Sequence, residues 1–330
     1  MAGSPVTMDQ MQVNHWMRQL CGSTMLDLNT VGEHRTDFLA TIDDLGLEYK
    51  IDGPMLRLRK RIEMIDVDSL QLKLAQRGLN TECQYRLQTK STNLDVLAIF
   101  DQLFKQKIDQ EALTCIATCE KQTHGKGRRG NHWVSPFGRN IYCTVGVLKT
   151  IKPANLGLLS IVTGLAIGKA LAHLGYKDVK LKWPNDIYHQ GHKLGGILIE
   201  SRPVKDDQYC LAIGFGINVD MSNETLANIE QAATCLNLIS RKAITRNQIL
   251  LETASQVLKD ILAFSDETTP QLVMAFNAVD AFQGMPVNVL SSGQTIAGTN
   301  AGIALTGQLQ LETAQGMMLF SAADISLRRA

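Results

Sequence analysis

The sequence predicts an α+β fold in three consecutive units, at residues 1–66, 67–280 and 281–330. Three patterns support this prediction. Two helical segments and a hairpin open the chain, strand-like and apolar helical runs fill its middle, and short runs between glycine turns close it. The order of strands and helices in the middle unit is typical of a mixed sheet.

The N-terminal unit carries the pattern of two helices followed by a hairpin. Apolar residues from Met11 to Leu20 recur at helical spacing, a second helix is predicted at 34–45, and two strand-like runs flank the turn at Gly53. This order resembles a winged helix-turn-helix, a DNA-reading motif. The candidate DNA contacts are one cation in the second helix and two in the wing: Arg35, Arg57 and Arg59.

The net charge of the N-terminal unit is unfavourable for strong DNA binding. Through Asp66 it has seven Lys and Arg against ten Asp and Glu, a balance of −3. A DNA-binding domain normally has the reverse balance, and here only the wing at 57–61 is basic. Two interpretations of this unit therefore stay open: a domain that binds operator DNA, and a structural domain that has lost this function.

The middle unit should contain a sheet covered by helices. Strands are predicted at 140–148, 179–183, 193–200 and 209–217. The runs at 179–183 and 193–200 are expected to pair as a hairpin. A buried helix is predicted at 153–175, and a final helix places its apolar side chains on one face: Leu250, Ala254, Val257, Leu258 and Ile261.

The C-terminal unit is predicted to be a small SH3-like β-barrel. From Gly284 onward, short strand-like runs are broken by Ser-Gly and Thr-Gly turns. The runs lie at 287–290, 295–298, 302–305, 308–312 and 317–320.

Composition indicates a globular cytoplasmic protein. The chain has 330 residues, 45% of them hydrophobic, and a net charge of +1, so no overall field favours nucleic acid or membrane. Its seven cysteines are scattered without a Cys-x-x-Cys motif, which favours free thiols in a reducing compartment. The most apolar run, 153–168, is shorter than a membrane span, and residues 1–7 show no export signal.

A glycine-rich basic loop at 125–133 is the most informative motif. Its glycines let backbone N–H groups approach a ligand, Arg128 and Arg129 offer forked donors to phosphate, and the Trp133 indole can stack on a base. The loop therefore predicts a nucleotide site. The alternative is a solvated basic face or a weak nucleic-acid patch.

A second motif places Lys182 at the end of a strand. The strand is predicted to end in the turn of Pro184, Asn185 and Asp186. Downstream, Gly195 and its neighbouring glycine permit close approach of a ligand or another backbone. A surface lysine on a half-exposed strand is the alternative for Lys182.

Together these motifs resemble those of the bacterial biotin protein ligases, including the type that also represses the biotin operon. The resemblance runs from about residue 88 to the C-terminus. Its motifs lie at 91–93, 122, 125–138, 182–186, 193–198, 214–218 and 324–328.

The resemblance implies an ATP-dependent ligase with Mg²⁺ as the ion of ATP. Such an enzyme joins biotin to ATP, releases pyrophosphate, and passes biotin from biotinyl-5′-AMP to a lysine of the biotin carboxyl carrier protein of acetyl-CoA carboxylase. Adenylation chiefly requires placing a carboxylate in line with the α-phosphate and neutralising charge, and Lys182, Arg128 and Arg129 are the implied catalytic cations. In the two-function members, the adenylate-loaded homodimer binds operator DNA.

The resemblance also implies two sets of binding residues. The biotin set is Ser91, Thr92, Asn93, Gln122, Gly125, Lys126, Arg128, Lys182 and Gly195. The ATP and adenylate set is Trp133, Arg128, Asn185, Asp186 and Asn218. No firm metal site is implied, and Asp186 is expected either to orient a basic neighbour or to help place Mg²⁺ through water.

Two departures from the family pattern concern the loop. Lys126 stands where arginine is usual, and Asn131 stands where a basic residue is common. Two alternative functions also stay open: a lipoate ligase, which shares the fold and the adenylation chemistry, and a transcriptional regulator that binds biotin or its adenylate without turnover.

Overall fold

The computed structural model describes residues 9–105, 113–240, 244–291, 294–322 and 325–329. The N-terminal residues 1–7, which show no export signal, and Asp324 of the last family motif lie outside these residues. Among the described residues, no helix is both long and apolar enough to cross a bilayer.

The N-terminal unit contains both predicted helices and the predicted hairpin. Its elements are α1 (Gln10–Ser23), β1 (Met25–Asp27), α2 (Arg35–Leu45), β2 (Tyr49–Asp52) and β3 (Met55–Leu58). Asp9 caps α1, and α2 ends at Gly46, whose φ of +73° suits glycine. The unpredicted strand β1 pairs with β3, giving an antiparallel sheet in the order β1-β3-β2. Assignment to the winged-helix class stays a prediction.

A seven-stranded mixed sheet forms the middle of the molecule, as predicted. The elements that build it and flank it are α3 (Val67–Gln76), β4 (Glu82–Thr89), α4 (Thr92–Lys105), β5 (Thr114–Gln122), β6 (Ile141–Thr150), α5 (Leu158–His173), β7 (Val179–Lys182), β8 (Asp186–His189), β9 (His192–Lys205) and β10 (Gln208–Ile217). The strand order is β4-β5-β6-β10-β9-β8-β7, with β4 parallel to β5 and the other neighbours antiparallel.

The predicted hairpin between 179–183 and 193–200 is wrong. Strand β7 pairs instead with β8, in a register that joins Lys182 to Asp186, and β8 then pairs with β9. The chain therefore reverses twice, once after Lys182 and once at Gly191, whose φ is +82°. The short run that forms β8 was interpreted as part of a turn because Pro184 and Asn185 precede it.

Helices cover both faces of the sheet. The later helices are α6 (Asn223–Ala227), α7 (Leu236–Ile239), α8 (Arg246–Ala263) and α9 (Thr269–Val279). Helices α5 and α8 share the large core with Ile116, whereas α4 packs with Cys115 and Ala117, which point to the opposite face of β5. The predicted buried helix is confirmed as α5, and the predicted apolar face of α8 is buried. Helices α4 and α9 were not predicted.

The C-terminal unit is a five-stranded antiparallel sheet. Its strands are β11 (Pro286–Ser291), β12 (Gln294–Ile303), β13 (Leu309–Thr313), β14 (Gly316–Phe320) and β15 (Ile325–Arg329), in the order β14-β13-β12-β11-β15. The two strands predicted at 295–298 and 302–305 are one strand, β12, with a register shift between Asn300 and Ile303. The glycine at 302, with a φ of +92°, accompanies this irregularity and explains the predicted break. The SH3-like class stays a prediction.

A buried ion pair joins the N-terminal unit to the middle one. Glu120 on β5 lies 2.8 Å from Arg246 at the start of α8, and both are almost fully buried. The backbone N–H of Ile65 donates to Glu120 at 2.6 Å, and Arg246 donates to the carbonyl of Glu63 at 2.5 Å. The predicted boundary at residue 66 therefore follows a segment that is bonded into the middle unit.

We expect Arg246→Met to lower the free energy of unfolding by about 3–5 kcal/mol, because the Glu120 carboxylate would be left buried without its partner. Arg59→Met is the matched control, since its pair with Glu48 is exposed at the surface and should contribute little. Urea denaturation of both variants measures the difference. Equal, small losses in the two variants would contradict the importance of the buried pair.

Candidate active site

A cavity of about 890 Å³ opens beside the ends of β5, β7, β9 and β10, under the basic loop. Twelve of the fourteen predicted ligand or catalytic residues lie on its wall: Ser91, Thr92, Asn93, Gln122, Lys126, Arg128, Arg129, Trp133, Lys182, Asn185, Asp186 and Asn218. Strands far apart in sequence contribute them because the sheet order places β10 and β9 between β6 and β8.

Gly125 and Gly195 were predicted to bind biotin but do not line the cavity. A Cβ at Gly125 would lie 2.7 Å from the carbonyl oxygen of Trp133, and a Cβ at Gly195 would lie 2.6 Å from that of Gly216. Both positions are occupied by glycine because the backbone packs tightly there. The next residue, Gly196, faces the cavity instead.

One end of the cavity is polar and almost closed to solvent. Ser91, Thr92 and Asn93 stand at the N-terminus of α4, and each is buried. Gln122 ends β5, and its Oε1 accepts a hydrogen bond of 3.0 Å from the backbone N–H of Thr92. The parallel pairing of β4 and β5 brings these two chain segments together.

A layer of polar groups that were not predicted lies behind this end. Thr144 on β6 is fully buried and within 2.8 Å of the Thr92 hydroxyl and 2.7 Å of Asn93 Oδ1. Asn93 Nδ2 donates to Glu200 at 2.7 Å and to the carbonyl of Leu198 at 3.2 Å. The amide of Asn93 is thus bonded to the protein on both sides, and it is connected to Thr92 through the Thr144 hydroxyl.

The basic loop folds back on itself above the cavity. Gly127 N–H donates to the carbonyl of Asn131 at 2.7 Å, and Trp133 N–H donates to that of Gly125 at 2.9 Å. Arg129 adopts a left-handed φ of +58°, which is rare for a residue with a side chain. These contacts give the loop a closed form in which Arg129 faces the cavity.

Arg128 connects the loop to two other parts of the chain. Its guanidinium lies 3.5 Å from Asn185 Oδ1, and it also donates to the carbonyl of Ala322 in the C-terminal unit. Asn185 is fixed in turn, since its Nδ2 donates to the carbonyl of Ile197 at 2.7 Å. The loop is therefore held against the turn that follows β7 and against the C-terminal unit.

Trp133 lies flat on the sheet over two glycines. A Cβ at Gly216 would come within 2.6 to 2.7 Å of three atoms of its indole, and one at Gly196 would lie 3.2 Å from the same ring. Lys193 Nζ lies 5.6 Å from the ring centroid. The indole position therefore depends on the lack of side chains beneath it.

Lys182 stands between two aromatic rings. Its Nζ donates to the Tyr188 hydroxyl at 3.2 Å and lies 5.2 Å from the Tyr188 ring centroid and 5.8 Å from that of Phe282. Burial raises the pKa of Tyr188, so its phenol stays neutral and can accept from the ammonium. Gln231 also donates to the Tyr188 hydroxyl.

Asp186 pairs with a lysine in the cavity wall. Its Oδ1 lies 2.6 Å from Nζ of Lys193, and both side chains are largely buried. Asp186 therefore orients a basic neighbour, one of the two roles expected for it. Among the described residues, no group of three or more His, Cys, Asp or Glu side chains could hold a metal ion.

Asn218 lines the cavity directly after the end of β10. It is buried, its Nδ2 donates to the carbonyl of Thr234 at 3.0 Å, and its backbone N–H donates to that of Leu194 at 2.9 Å. Asn218 is therefore a fixed polar part of the cavity wall, two residues after the Gly216 that lies against Trp133.

Several lining residues were missed by the sequence analysis: Tyr188, Lys193, Gln231 and Phe282. Tyr188 lies on the strand that was interpreted as a turn. Lys193 belongs to a quoted motif but was given no role. Gln231 and Phe282 lie outside every motif, and their sequence context carries no signal that could have identified them.

The three DNA candidates lie apart from this cavity, exposed on the N-terminal unit. Arg57 donates to the sulfur of Met25 at 2.6 Å, and Arg59 pairs with Glu48 at 2.9 Å. Arg35 begins α2. The structure does not bring these three cations together with the other predicted site residues.

Two family models match the chain. The model of the biotin/lipoate A/B protein ligase family matches residues 85–218, and that of the biotin protein ligase C-terminal domain matches residues 283–328. The first match covers the polar end of the cavity, the basic loop and Asn218. The second covers most of the C-terminal sheet.

Relatives extend the match over most of the chain. The bifunctional ligase/repressor BirA of Salmonella typhimurium is 28% identical over 307 residues, 88% of each chain, so the similarity reaches into the N-terminal unit. The biotin–[acetyl-CoA-carboxylase] ligase of Mycobacterium tuberculosis is 32% identical over 246 residues, 72% of this chain and 86% of that one.

A solved structure agrees with the fold. The biotin protein ligase from Aquifex aeolicus, in complex with biotin and ATP, has a TM-score of 0.60 and 25% identity, and the match covers 76% of this chain and 99% of that one. The likeness thus spans the full length of the Aquifex enzyme. With the family models and the long relatives, it shows that this chain belongs to the biotin protein ligase family.

Proposed function

We propose that this protein is an ATP-dependent biotin protein ligase. It joins biotin to ATP, releases pyrophosphate, retains biotinyl-5′-AMP and transfers biotin to a lysine of the biotin carboxyl carrier protein of acetyl-CoA carboxylase. One observation carries the proposal: a single cavity combines a buried polar end, a basic middle and an aromatic wall. These three environments suit the ureido ring, the reacting carboxylate with the phosphates, and the adenine.

The polar end would hold the ureido ring of biotin. The hydroxyls of Ser91 and Thr92 and the amide of Gln122 can pair with its N–H and C=O groups. All three side chains are fixed by burial or by hydrogen bonds, so the ring would be oriented without further ordering of the protein.

The basic middle of the cavity would promote adenylation. A carboxylate oxygen of biotin attacks the α-phosphorus of ATP, a bond forms between them, and the bond from that phosphorus to the leaving pyrophosphate breaks. Lys182, Arg128 and Arg129 line the cavity and would neutralise the negative charge that develops on the phosphoryl oxygens. Mg²⁺ would enter with ATP, because Asp186 is already paired with Lys193.

The aromatic end would take the adenine of ATP. Trp133 presents an indole fixed against Gly196 and Gly216, and Asn218 supplies a buried polar neighbour. The remaining exposed part of the indole offers adenine an apolar contact. In the second half-reaction the carrier lysine attacks the acyl carbonyl, and AMP leaves.

A second function, repression of the biotin operon, is favoured by the similarity to BirA over 88% of the chain. The adenylate-loaded protein would form a homodimer in the cytoplasm and bind operator DNA through its N-terminal unit. The helices α1 and α2 and the three-stranded sheet supply the elements for such a role. Few cations are available there, since Arg59 already pairs with Glu48.

Pyrophosphate release tests the proposed enzyme directly. The purified protein is incubated with ATP and Mg²⁺, and with biotin, lipoate or neither. Release with biotin alone supports the biotin ligase, and release with lipoate alone indicates a lipoate ligase. Binding of biotin without any release indicates a ligand-binding regulator.

We expect Lys182→Ala to slow formation of biotinyl-5′-AMP by roughly 10² to 10³, because a fixed cation that acts on developing charge is lost. Biotin affinity should change much less. Lys180→Ala is the matched control, since this lysine lies on the same strand but is exposed and outside the cavity. Single-turnover measurement of adenylate formation decides, and a wild-type rate in Lys182→Ala excludes the assigned role.

We expect Gly216→Ala to weaken ATP binding more than biotin binding, because its methyl group would overlap the Trp133 indole. Loss of a base–aromatic stack costs roughly 1–3 kcal/mol, so the KM for ATP should rise about tenfold. Gly168→Ala, where a Cβ meets nothing within 4 Å, is the control. An unchanged KM for ATP would show that Trp133 does not bind adenine.

We expect operator binding, if the repressor role holds, to show a shallow dependence on salt because few phosphate contacts are available. Arg57→Ala and Arg59→Ala should weaken it further. Gel-shift titration against the promoter of the chain's own biotin operon, with biotin and ATP present, measures this. Absence of any specific shift at low salt would mean that the N-terminal unit is structural only.

A further inference from the structure

We propose that Thr144 is a positioning residue that makes the Thr92 hydroxyl a hydrogen-bond acceptor and thereby selects a ligand that presents an N–H group. The inference rests on the proposed function, in which the ligand is the ureido ring of biotin. Thr144 lies in the middle of β6, is fully buried and is not part of the cavity wall. It can therefore act on a ligand only through another residue.

The first step is the orientation of Asn93. Its Nδ2 donates to a Glu200 carboxylate oxygen at 2.7 Å and to the carbonyl of Leu198 at 3.2 Å, so both amide hydrogens are used and the amide cannot be flipped without loss. Its Oδ1 therefore points at Thr144. A Cβ at Gly214 would lie 2.2 Å from this oxygen, so glycine leaves the space that Asn93 occupies.

The second step follows from the number of protons. Asn93 Oδ1 can only accept, and Thr144 Oγ1, at 2.7 Å, is the donor that reaches it. A hydroxyl has one hydrogen, so Thr144 cannot also donate to Thr92 Oγ1 at 2.8 Å. Thr144 therefore accepts from Thr92. The reverse direction would leave a buried amide oxygen without this donor, which is unfavourable.

The third step concerns the hydrogen-bonding capacity that remains on the Thr92 hydroxyl. Its other candidate acceptor, Gln122 Oε1, is 3.4 Å away and already accepts the backbone N–H of Thr92 at 3.0 Å. The Thr92 proton thus goes to Thr144, and the hydroxyl offers the cavity a lone pair only. A ligand N–H satisfies this lone pair.

Gln122 and Thr92 present opposite hydrogen-bonding groups to the ligand, a donor and an acceptor. Because Gln122 Oε1 is engaged by Thr92, its Nε2 is left as the donor side of the amide, with a long contact of 3.5 Å to Ser135. An acceptor at Thr92 beside a donor at Gln122 matches the adjacent N–H and C=O of a cyclic urea. The buried layer behind the cavity thus sets the polarity of the groups that face the ligand.

Replacement of Thr144 tests the inference. Thr144→Val keeps the shape but removes the hydroxyl, and we expect biotin to bind about tenfold more weakly with little change in the KM for ATP. Thr144→Ser restores the hydroxyl and should bind within about twofold of wild type. Titration calorimetry measures biotin binding, and thermal melts establish that each variant is folded. If Thr144→Val does not fold, Thr144→Ala replaces it.

Thr118→Val is the matched control. Thr118 is also buried, lies on the neighbouring strand β5 and donates to the carbonyl of Tyr142 at 2.9 Å, but it has no hydrogen bond to Thr92 or Asn93. A loss of biotin affinity in Thr118→Val equal to that in Thr144→Val would overturn the inference, because any buried hydroxyl would then have the same effect.

A double-mutant cycle tests whether Thr144 acts through Thr92. In a Thr92→Val background, the further change Thr144→Val should have almost no effect on biotin affinity. Undiminished loss in that background would overturn the inference.

The polarity itself is tested with biotin analogues in which one ureido N–H is replaced by a ring oxygen. The wild type should discriminate strongly against the isomer that presents oxygen to Thr92, whereas Thr144→Val, in which the Thr92 proton is released, should discriminate at least about fivefold less. Equal discrimination by both proteins overturns the inference. Failure of the wild type to bind biotin at all overturns the proposed function first, so the two failures are distinguishable.

Discussion

The buried pair of Glu120 and Arg246 is the interaction on which the arrangement of the units depends. Glu120 lies two residues before Gln122, and Arg246 begins α8, which packs under the central sheet. The segment that leads out of the N-terminal unit supplies Ile65 N–H to the carboxylate and Glu63 to the arginine. A charge pair in the interior is stable only when its remaining hydrogen-bonding groups are satisfied, so these segments must come together for any of them to be buried.

Strand β5 connects this ion pair to the cavity. The carbonyl of Glu120 accepts the backbone N–H of Gly138 at 3.1 Å, at the end of the segment that follows the basic loop. Two residues further on, Gln122 fixes Thr92 at the start of α4. The ligand-facing polar groups are therefore continuous with the core, whereas the cations reach the cavity from the loop and from strands β7 and β9. In the proposed function, this division would place fixed polar groups at the ureido ring of biotin and the cations at the phosphates, where charge develops in the transition state.

The sequence predicted the class of fold and twelve residues of the cavity wall because both leave strong local signals. Strand-like runs identified β6, β9 and β10, helical spacing identified α8, and the density of glycine and arginine identified the loop. The predicted pairing of β7 was wrong because β8, a four-residue strand between two turns, has almost no periodicity of its own. Thr144 gave no signal, since a threonine in an apolar strand is ordinary, and its role arises only from the register that sets Gly214 opposite it. Gly125 and Gly195 do not line the cavity, because a sequence does not distinguish a glycine beside a ligand from one packed against backbone, and their contact with biotin stays a prediction.

The C-terminal unit takes part in the site through contacts that no motif contains. Phe282 supplies one of the two rings beside Lys182, and the backbone next to it is bonded to β7, since Ala281 N–H donates to the carbonyl of Leu181 at 2.7 Å. Asp280 is held by Asn300 at 2.8 Å, and Trp183, directly after Lys182, donates through its indole to the carbonyl of Gly307 at 3.0 Å. The position of the lysine is thus determined from both sides of the unit boundary. Arg128 of the loop also donates to the carbonyl of Ala322. The lysine and the arginine that would share the phosphate charge are therefore both held by the C-terminal unit. The distance between them depends on how that unit packs against the middle one.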